Sequence, residues 1–287
     1  MAAMTDAPPP LAPGLYVVAT PIGNLRDVTL RALDTLRGAD LVLAEDTRVT
    51  AKLLNAHGIR ARLQAYHEHN AAEARPRVLA ALEEGRAVAL VSDAGTPLVS
   101  DPGYRLVREV IDAGHPVFPI PGASALLSAL VTAGLPTDRF LFAGFPPPRS
   151  AARRTFLGEL AGVQATLVIY EGASRLGECL TDMAEVLGAE RPAAVGRELT
   201  KLYETVKRGT LAELAADPAL QAPKGEVVIV IGAGVQAETA PEDADAALAE
   251  ALRRLSPGEA ASEVARATGL PRRELYRRAV ALKAAAS

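Results

Sequence analysis

V-V-A-T-P-I-G-N-L-R-D, Val17 to Asp27, is the stretch on which the fold turns. A β-branched run stops at Thr20 and gives way to proline, glycine, asparagine and a charged pair, so a strand expected over Gly14–Thr20 ends in a turn rich in polar backbone. The same change recurs downstream. Leu41–Ala44 runs into A-E-D-T-R (Ala44–Arg48), Ala87–Val91 into S-D-A-G-T-P-L-V-S-D-P-G-Y (Ser92–Tyr104), and Pro116–Ile120 into P-G-A-S-A (Pro121–Ala125). Segments of helical period separate these runs at Val28–Arg37, Arg48–His57, Ala71–Glu84 and Gly103–Ala113. The alternation predicts an α/β unit on a parallel sheet over residues 13–122.

In such a sheet the ligand crevice lies at the carboxyl ends of the strands, where all of these turns fall. Glycine there lets backbone approach a ligand, and proline stiffens the loop that holds it. Asp93 offers an acceptor, Thr96 a hydroxyl, and Ser124 both a hydroxyl and helix-terminal N–H groups.

A second α/β unit is expected over 123–235. Its strands are read at Phe140–Ala143, Thr166–Tyr170, Ala193–Gly196, Lys201–Gly209 and Glu226–Ile231, and its helices at Ser124–Ala133 and Arg175–Leu187. An acidic linker, 236–244, follows. G-A-G-V-Q-A, Gly232 to Ala237, formally fits a dinucleotide fingerprint, but that motif must open a βαβ unit. Pro241 interrupts any immediate helix and only 50 residues remain, so a turn into the linker is the expectation.

With 49 % hydrophobic and 23 % charged residues, no tryptophan and 4 % aromatics, the 287-residue chain is globular and must pack on Leu, Val and Ala. The lone Cys179 excludes an internal disulfide framework, suits a reducing cytoplasm and is expected in the core. Residues 1–12 lack a basic and an apolar region and read as a disordered tail rather than a signal peptide. No run of 18 apolar residues suggests a membrane span. In Y-H-E-H-N (Tyr66–Asn70) no third ligand follows the two histidines, so a polar loop near a site is expected and no metal.

Charge is uneven along the chain. Residues 251–287 hold seven Arg and one Lys against three Glu, a net +5 within a total of −3. Ser256 can cap a helix, Pro257 takes its first position and Glu259 closes a capping box. Gly269 then turns the chain and Pro271 starts another helix, where Arg273 and Arg277 share a face with Arg272 and Arg278 alongside. This is a helix-turn-helix outline over 245–287, suited to phosphates, although a helical hairpin with a solvated Arg face fits the pattern equally well.

Taken in order from Gly14 to Ile231, L-Y-V-V-A-T-P-I-G-N-L-R-D-V-T-L-R-A-L, A-E-D-T-R, Y-H-E-H-N, V-S-D-A-G-T-P-L-V-S-D-P-G-Y, P-G-A-S-A, G-L-P-T-D-R-F-L-F-A-G-F-P-P, R-E-L-T-K and K-G-E-V-V form a specific set. The set resembles the bacterial ribosomal RNA small subunit methyltransferase I family, a branch of the tetrapyrrole methylase-like, class III S-adenosylmethionine-dependent methyltransferases. S-D-A-G-T-P together with A-T-P-I-G-N separates this branch from its porphyrin- and corrin-modifying relatives. The resemblance implies two α/β domains with S-adenosylmethionine in the cleft between them, a cytoplasmic homodimer, and methylation of the ribose 2′-OH of a cytidine in the decoding region of 16S rRNA. Motif by motif, it implies cofactor contacts at Pro21, Ile22, Gly23, Asp93, Gly95, Thr96, Ser124, Ala125 and Tyr170. Ser174 and Val49 stand where the family usually carries histidine, so imidazole chemistry is not expected at either.

A ribose hydroxyl is a poor nucleophile until its proton leaves. Glu45, Asp46 and Glu171 are the candidates for base or ribose orientation, with Arg48 and Arg175 holding phosphate or fixing those carboxylates. A structural salt bridge is the equal alternative for Asp46 and Arg48. Phosphate contacts on the small ribosomal subunit are expected from Arg272, Arg273, Arg277 and Arg278. Two other functions share these features: a corrin- or porphyrin-type methyltransferase of the same fold, which would not need the tail, and a ligand-sensing nucleic-acid-binding regulator.

Overall fold

The computed structural model describes residues 10–234, 241–268 and 270–285. Most of the expected tail 1–12, the first part of the linker 236–244 and the turn at Gly269 lie outside them. The chain forms two compact units, one of Met1–Leu157 with Thr166–Gly232, the other of Gly158–Ala165 with Ala233–Ser287.

The larger unit holds two sheets. The first contains β1 (Gly14–Val18), β2 (Leu41–Ala44), β3 (Leu63–Ala65), β4 (Ala87–Val91) and β5 (Val117–Ile120), all parallel, in the order β3-β2-β4-β1-β5. Helices α1 (Leu30–Gly38), α2 (Thr47–Ala56), α3 (Ala71–Glu83) and α4 (Tyr104–Asp112) supply the crossovers. The inner strands are apolar on both faces because both faces are covered. Val18, Val42 and Ala89 pack on Leu36 of α1 and Leu53 of α2, while Leu15, Leu43 and Leu90 pack on Val78 of α3 and Leu106 of α4.

Two details differ from the sequence reading. The edge strand β3 was not anticipated; it has three half-buried residues, one of them Gln64, too few to display a period. The first strand also ends at Val18 rather than Thr20. Thr20 leaves the parallel ladder to exchange hydrogen bonds with Gly95, its N–H donating at 2.8 Å and its carbonyl accepting at 3.0 Å, which staples the turn after β1 to the turn after β4.

The second sheet runs β6-β7-β10-β8-β9, with β6 (Phe140–Phe142), β7 (Thr166–Gly172), β8 (Pro192–Arg197), β9 (Thr205–Thr210) and β10 (Glu226–Ile231). It is mixed: β6 and β7 are parallel and the remaining pairs antiparallel. Helix α5 (Ala125–Thr132) covers one face against Val168, Ala194, Val228 and Val230. Toward the other lie α6 (Ser150–Leu160), α7 (Leu176–Leu187) and α8 (Leu211–Ala216), of which only α7 was expected. Cys179 is buried on α7, as anticipated. The strand expected from Lys201 starts only at Thr205, because Lys201 N–H donates to Glu198 and Glu204 N–H to Lys201, closing a tight turn.

The smaller unit contains α9 (Pro241–Leu252), α10 (Pro257–Thr268) and α11 (Arg272–Ala285) around Leu248, Val264, Leu275 and Ala279. Pro241, read as an interruption within the linker, instead occupies the first helical position, where its missing N–H has no partner to lose. The last four residues of the expected linker therefore belong to α9. Ser256 and Glu259 form the anticipated capping box, Ser256 N–H donating to Glu259 Oε2 at 3.0 Å and Glu259 N–H to Ser256 Oγ at 3.5 Å. No described helix is long and apolar enough to cross a membrane.

Candidate active site

A cavity of about 370 Å³ opens in the larger unit. Ile22, Gly95, Thr96 and Asp101 reach it from the first sheet, Ser124 and Ala125 from the start of α5, and Tyr170, Leu199 and Val228 from the second sheet and its loops. Six of the nine residues expected to contact a cofactor therefore line this cavity. Pro21 and Gly23 flank Ile22 without bordering the cavity, and Asp93 does not border it either.

The turns hold this shape for local reasons. Gly95 has φ 79°, a left-handed conformation, and a β-carbon there would lie 3.3 Å from Ile22 Cγ2. Thr20 Oγ1 donates to the Ser92 carbonyl at 3.1 Å and Thr96 Oγ1 to that of Ala123 at 3.3 Å, so the three turns are sewn together. Ser124 caps α5, its hydroxyl accepting from Leu127 N–H. Leu126 N–H donates to the Tyr170 hydroxyl at 3.1 Å, and the Tyr170 ring meets Phe142 and Phe145 edge-on with centroids 4.7 and 5.5 Å apart. Burial pushes the phenol upward, so it stays neutral.

Carboxylates gather behind the wall. Asp46 N–H donates to Asp93 Oδ1 at 2.9 Å, and the Asp93 N–H faces the Glu45 carboxylate. Burial and the neighbouring Asp93 push Glu45 up. Asp101 rises to about 6 through burial and the charges of Glu45 and Asp93, with the Ser92 hydroxyl beside it opposing the rise. The sequence reading passed over Asp101, although it is the second aspartate of the same glycine- and proline-bearing loop.

The other candidate carboxylates are committed elsewhere. Asp46 caps α2 through Arg48 N–H at 2.8 Å and grips the Arg48 guanidinium through both oxygens, which holds its carboxyl down at about 2. A carboxylate so stabilised is a weak base. Glu171 borders the cavity, but side chains alternate along β7: Tyr170 packs on the α5 side while the Glu171 carboxylate is buried on the other, paired with Arg175 and beside Cys179, whose thiol burial pushes up.

In the smaller unit, Arg273 and Arg277 are exposed and make no ion pair among the described residues. Arg272 donates to Ser262 Oγ at 2.7 Å and Arg278 to Asp245 Oδ1 at 2.8 Å, so these two fasten α11 to α10 and α9. The Y-H-E-H-N loop closes on itself, His67 N–H donating to Asn70 Oδ1, and among the described residues no cluster suits a metal ion.

Residues 14–215 match the family model of Tetrapyrrole (Corrin/Porphyrin) Methylases, and residues 238–283 that of the RsmI C-terminal HTH domain. The ribosomal RNA small subunit methyltransferase I of Mesorhizobium japonicum is 54 % identical over 285 residues, which is 99 % of this chain and 97 % of that relative. The chain belongs to the ribosomal RNA small subunit methyltransferase I family. Another protein of that name, from Escherichia coli O157:H7, is 45 % identical across 93 % of this chain and 94 % of its own length. Among solved structures, the uroporphyrin-III C-methyl transferase of Thermus thermophilus, complexed with S-adenosyl homocysteine, aligns with a TM-score of 0.52 at 22 % identity over 76 % of this chain and 96 % of its own. At that identity the likeness is one of fold. Membership of the ribosomal RNA small subunit methyltransferase I family accounts for both units, the cavity-bearing sheets and the three-helix tail alike.

Proposed function

We propose that this methyltransferase moves a methyl group from S-adenosylmethionine to the ribose 2′-OH of a cytidine in the decoding region of 16S rRNA, working as a homodimer in the cytoplasm. The observation that carries the reading is the cavity built where A-T-P-I-G-N, S-D-A-G-T-P and P-G-A-S-A converge, in a chain that matches small-subunit rRNA methyltransferases along nearly its whole length.

The wall suits the donor. Its volume falls in the range of small-molecule sites, Ile22, Leu199 and Val228 offer apolar flanks for a flat base and a thioether, and Thr96 and Ser124 offer hydroxyls. Gly95 leaves space that any β-carbon would narrow. When bound, S-adenosylmethionine supplies a methyl group on a positively charged sulfur, open to in-line displacement. The chain's task is then alignment and exclusion of water, since correct placement of the two reactants provides most of the acceleration. Among the carboxylates first considered, Glu45 keeps the least committed carboxyl; Arg48 and Arg175 fix Asp46 and Glu171.

Arg273 and Arg277 fit phosphate contacts that position the folded RNA, while the acidic remainder of the chain disfavours binding by bulk charge. A corrin-type methyltransferase would leave that tail and the family match over it without a purpose, and a regulator would use the tail but move no methyl group to RNA. The test is to incubate the protein and labelled S-adenosylmethionine with small ribosomal subunits from a strain lacking it, then map the label. One 2′-O-methylated cytidine in the decoding region is expected. Label on another position, or none, overturns the reading.

A further inference from the structure

We infer that Phe145 is the platform on which the base of the target nucleotide stacks, with Arg149 taking an adjoining phosphate, an assignment that rests on the function just proposed. A hydroxyl on a ribose within a folded strand reaches a methyl group held in a cavity only when its nucleotide swings out of the strand. The base then loses its stacked neighbours, and proteins that extrude a nucleotide offset that loss on aromatic or apolar side chains. The cavity carries such a surface at its mouth. Ile22, Leu199 and Val228, the flanks offered to the donor, are at most 7 % exposed, whereas Phe145 on the same lining is 54 % exposed. Among the described residues no other large apolar side chain of the lining is exposed.

The ring is exposed but its backbone is held from both sides. Gly144, just before it, has φ 68°, and the Gly144 carbonyl accepts from Tyr170 N–H at 2.9 Å, which ties the segment to β7. Tyr170 meets the Phe145 ring edge-on, and its own hydroxyl accepts from Leu126 N–H. After Phe145 the run P-P-P leaves the chain few conformations. Buried Arg153 donates to the Pro148 carbonyl at 3.3 Å while its other nitrogen grips Asp182 at 2.7 Å, so the far end of that run is fixed as well. A platform fixed before binding loses little freedom when a base settles on it.

Charge selects the occupant. Arg149, four residues on, is exposed and makes no ion pair among the described residues, although the chain as a whole carries a net −3. An aromatic ring with an unpaired guanidinium close in sequence is the combination that grips single-stranded RNA, one group for a base and the other for its backbone. The donor carries no phosphate and finds its apolar flanks deeper in the cavity, so the ring at the mouth is left for the acceptor.

The chain has no tryptophan, so Phe145→Trp places a single indole on the platform. With S-adenosylhomocysteine bound, a decoding-region RNA oligonucleotide is expected to quench its emission, and the same oligonucleotide made abasic at the target cytidine is not. On small ribosomal subunits Phe145→Ala should lower kcat/KM by about 5- to 150-fold, with the donor Kd from calorimetry within about threefold and the oligomeric state of wild type. Phe145→Trp keeps an aromatic face and should stay within about fivefold of wild type. Phe145→Leu, apolar but without a ring, should repeat the alanine loss, and it carries the test if Phe145→Ala fails to fold. Arg149→Ala should reduce the slope of log affinity for small subunits against log salt by about 1. With an active wild type, undiminished kcat/KM in the ringless variants, no quenching or equal quenching by the abasic RNA, a loss confined to donor affinity, or a changed oligomeric state overturns the platform alone. An unchanged salt slope overturns the phosphate contact. A wild type that methylates no small-subunit RNA overturns the proposed function and this assignment with it.

Discussion

The Lys201 side chain lies across Gly23, so close that a β-carbon built at residue 23 would stand 2.3 Å from Lys201 Cγ. The contact joins R-E-L-T-K, on the second sheet, to A-T-P-I-G-N, on the first, just behind Ile22 on the cavity wall. Lys201 is not free to swing aside, because Glu198 and Glu226 hold its ammonium at 3.0 and 2.8 Å. Gly23→Ala should therefore part the two loops. Overpacking of this kind costs about 1–3 kcal/mol, and donor affinity should drop by about tenfold as the wall shifts. Thermal melts and calorimetry with S-adenosylmethionine check both effects; unchanged affinity would show that the loops move independently of the site.

Asp101 leaves a stability signature whatever its part in the reaction. Its folded-state value of about 6 exceeds the ordinary aspartate value of 3.8, so the folded protein resists an ionisation that the unfolded chain undergoes readily. Stability should fall as pH rises from about 4 to about 6 and stay flat above, since in that window the folded state binds the extra proton. Asp101→Asn removes the ionisation. Allowing for the solvent that still reaches this half-buried group, the variant should gain about 1 kcal/mol over wild type at pH 8. At pH 4 the gain should vanish. Calorimetric melts at the two pH values decide it, and an equal difference at both would mean the carboxyl is not held in its neutral form by burial.

The strands buried on both faces, β1, β2, β4 and β10, were legible because a covered strand must be apolar throughout. Helix α6 was not. Its buried face carries Arg153, and a charge among the apolar positions erases the period that would betray a helix. The turns of the site could be read from their glycines and prolines, because backbone geometry is a local property. The meeting of Glu45 with Asp101 could not, since it arises from β2 lying beside β4, a pairing that no sequence spacing encodes. The same limit hid the orientation of Glu171: its motif was clear, but only the position of α5 and α7 on opposite faces of β7 shows that its carboxylate turns from the cavity.

Arg153 sits 1 % exposed against Asp182 of α7, 5 % exposed, with a 2.7 Å contact, and Ser150 and Arg154 donate to the same carboxylate. Burial alone would raise Asp182; the hydrogen bonds from Arg153, Ser150 and Arg154 outweigh it and bring the group below the usual carboxylate range. The stability this provides is present above the unfolded-state value and is lost as pH falls through the lower folded-state one. Asp182→Ala would strand a buried guanidinium, at a cost of about 3–5 kcal/mol. Denaturant titration at pH 7 measures the loss. A decrease below about 1 kcal/mol would mean that water reaches Arg153 in the variant and solvates it.

Arg273 and Arg277 face solvent four residues apart on α11, whereas Arg278 is spent on Asp245. The two kinds of arginine should fail differently. Arg273→Glu combined with Arg277→Glu should leave donor binding and melting unchanged but weaken binding to small ribosomal subunits, with the slope of log affinity against log salt falling by about 2 as two phosphate contacts are lost. Arg278→Ala should instead loosen the packing of α11 on α9 and lower the stability of the three-helix unit, with any loss of RNA affinity following from that. Salt titrations of subunit binding, run beside melts of each variant, separate the cases. If the charge-reversed pair kept the wild-type slope, the solvent-facing side of α11 would be an ordinary surface and the phosphates would meet the protein elsewhere.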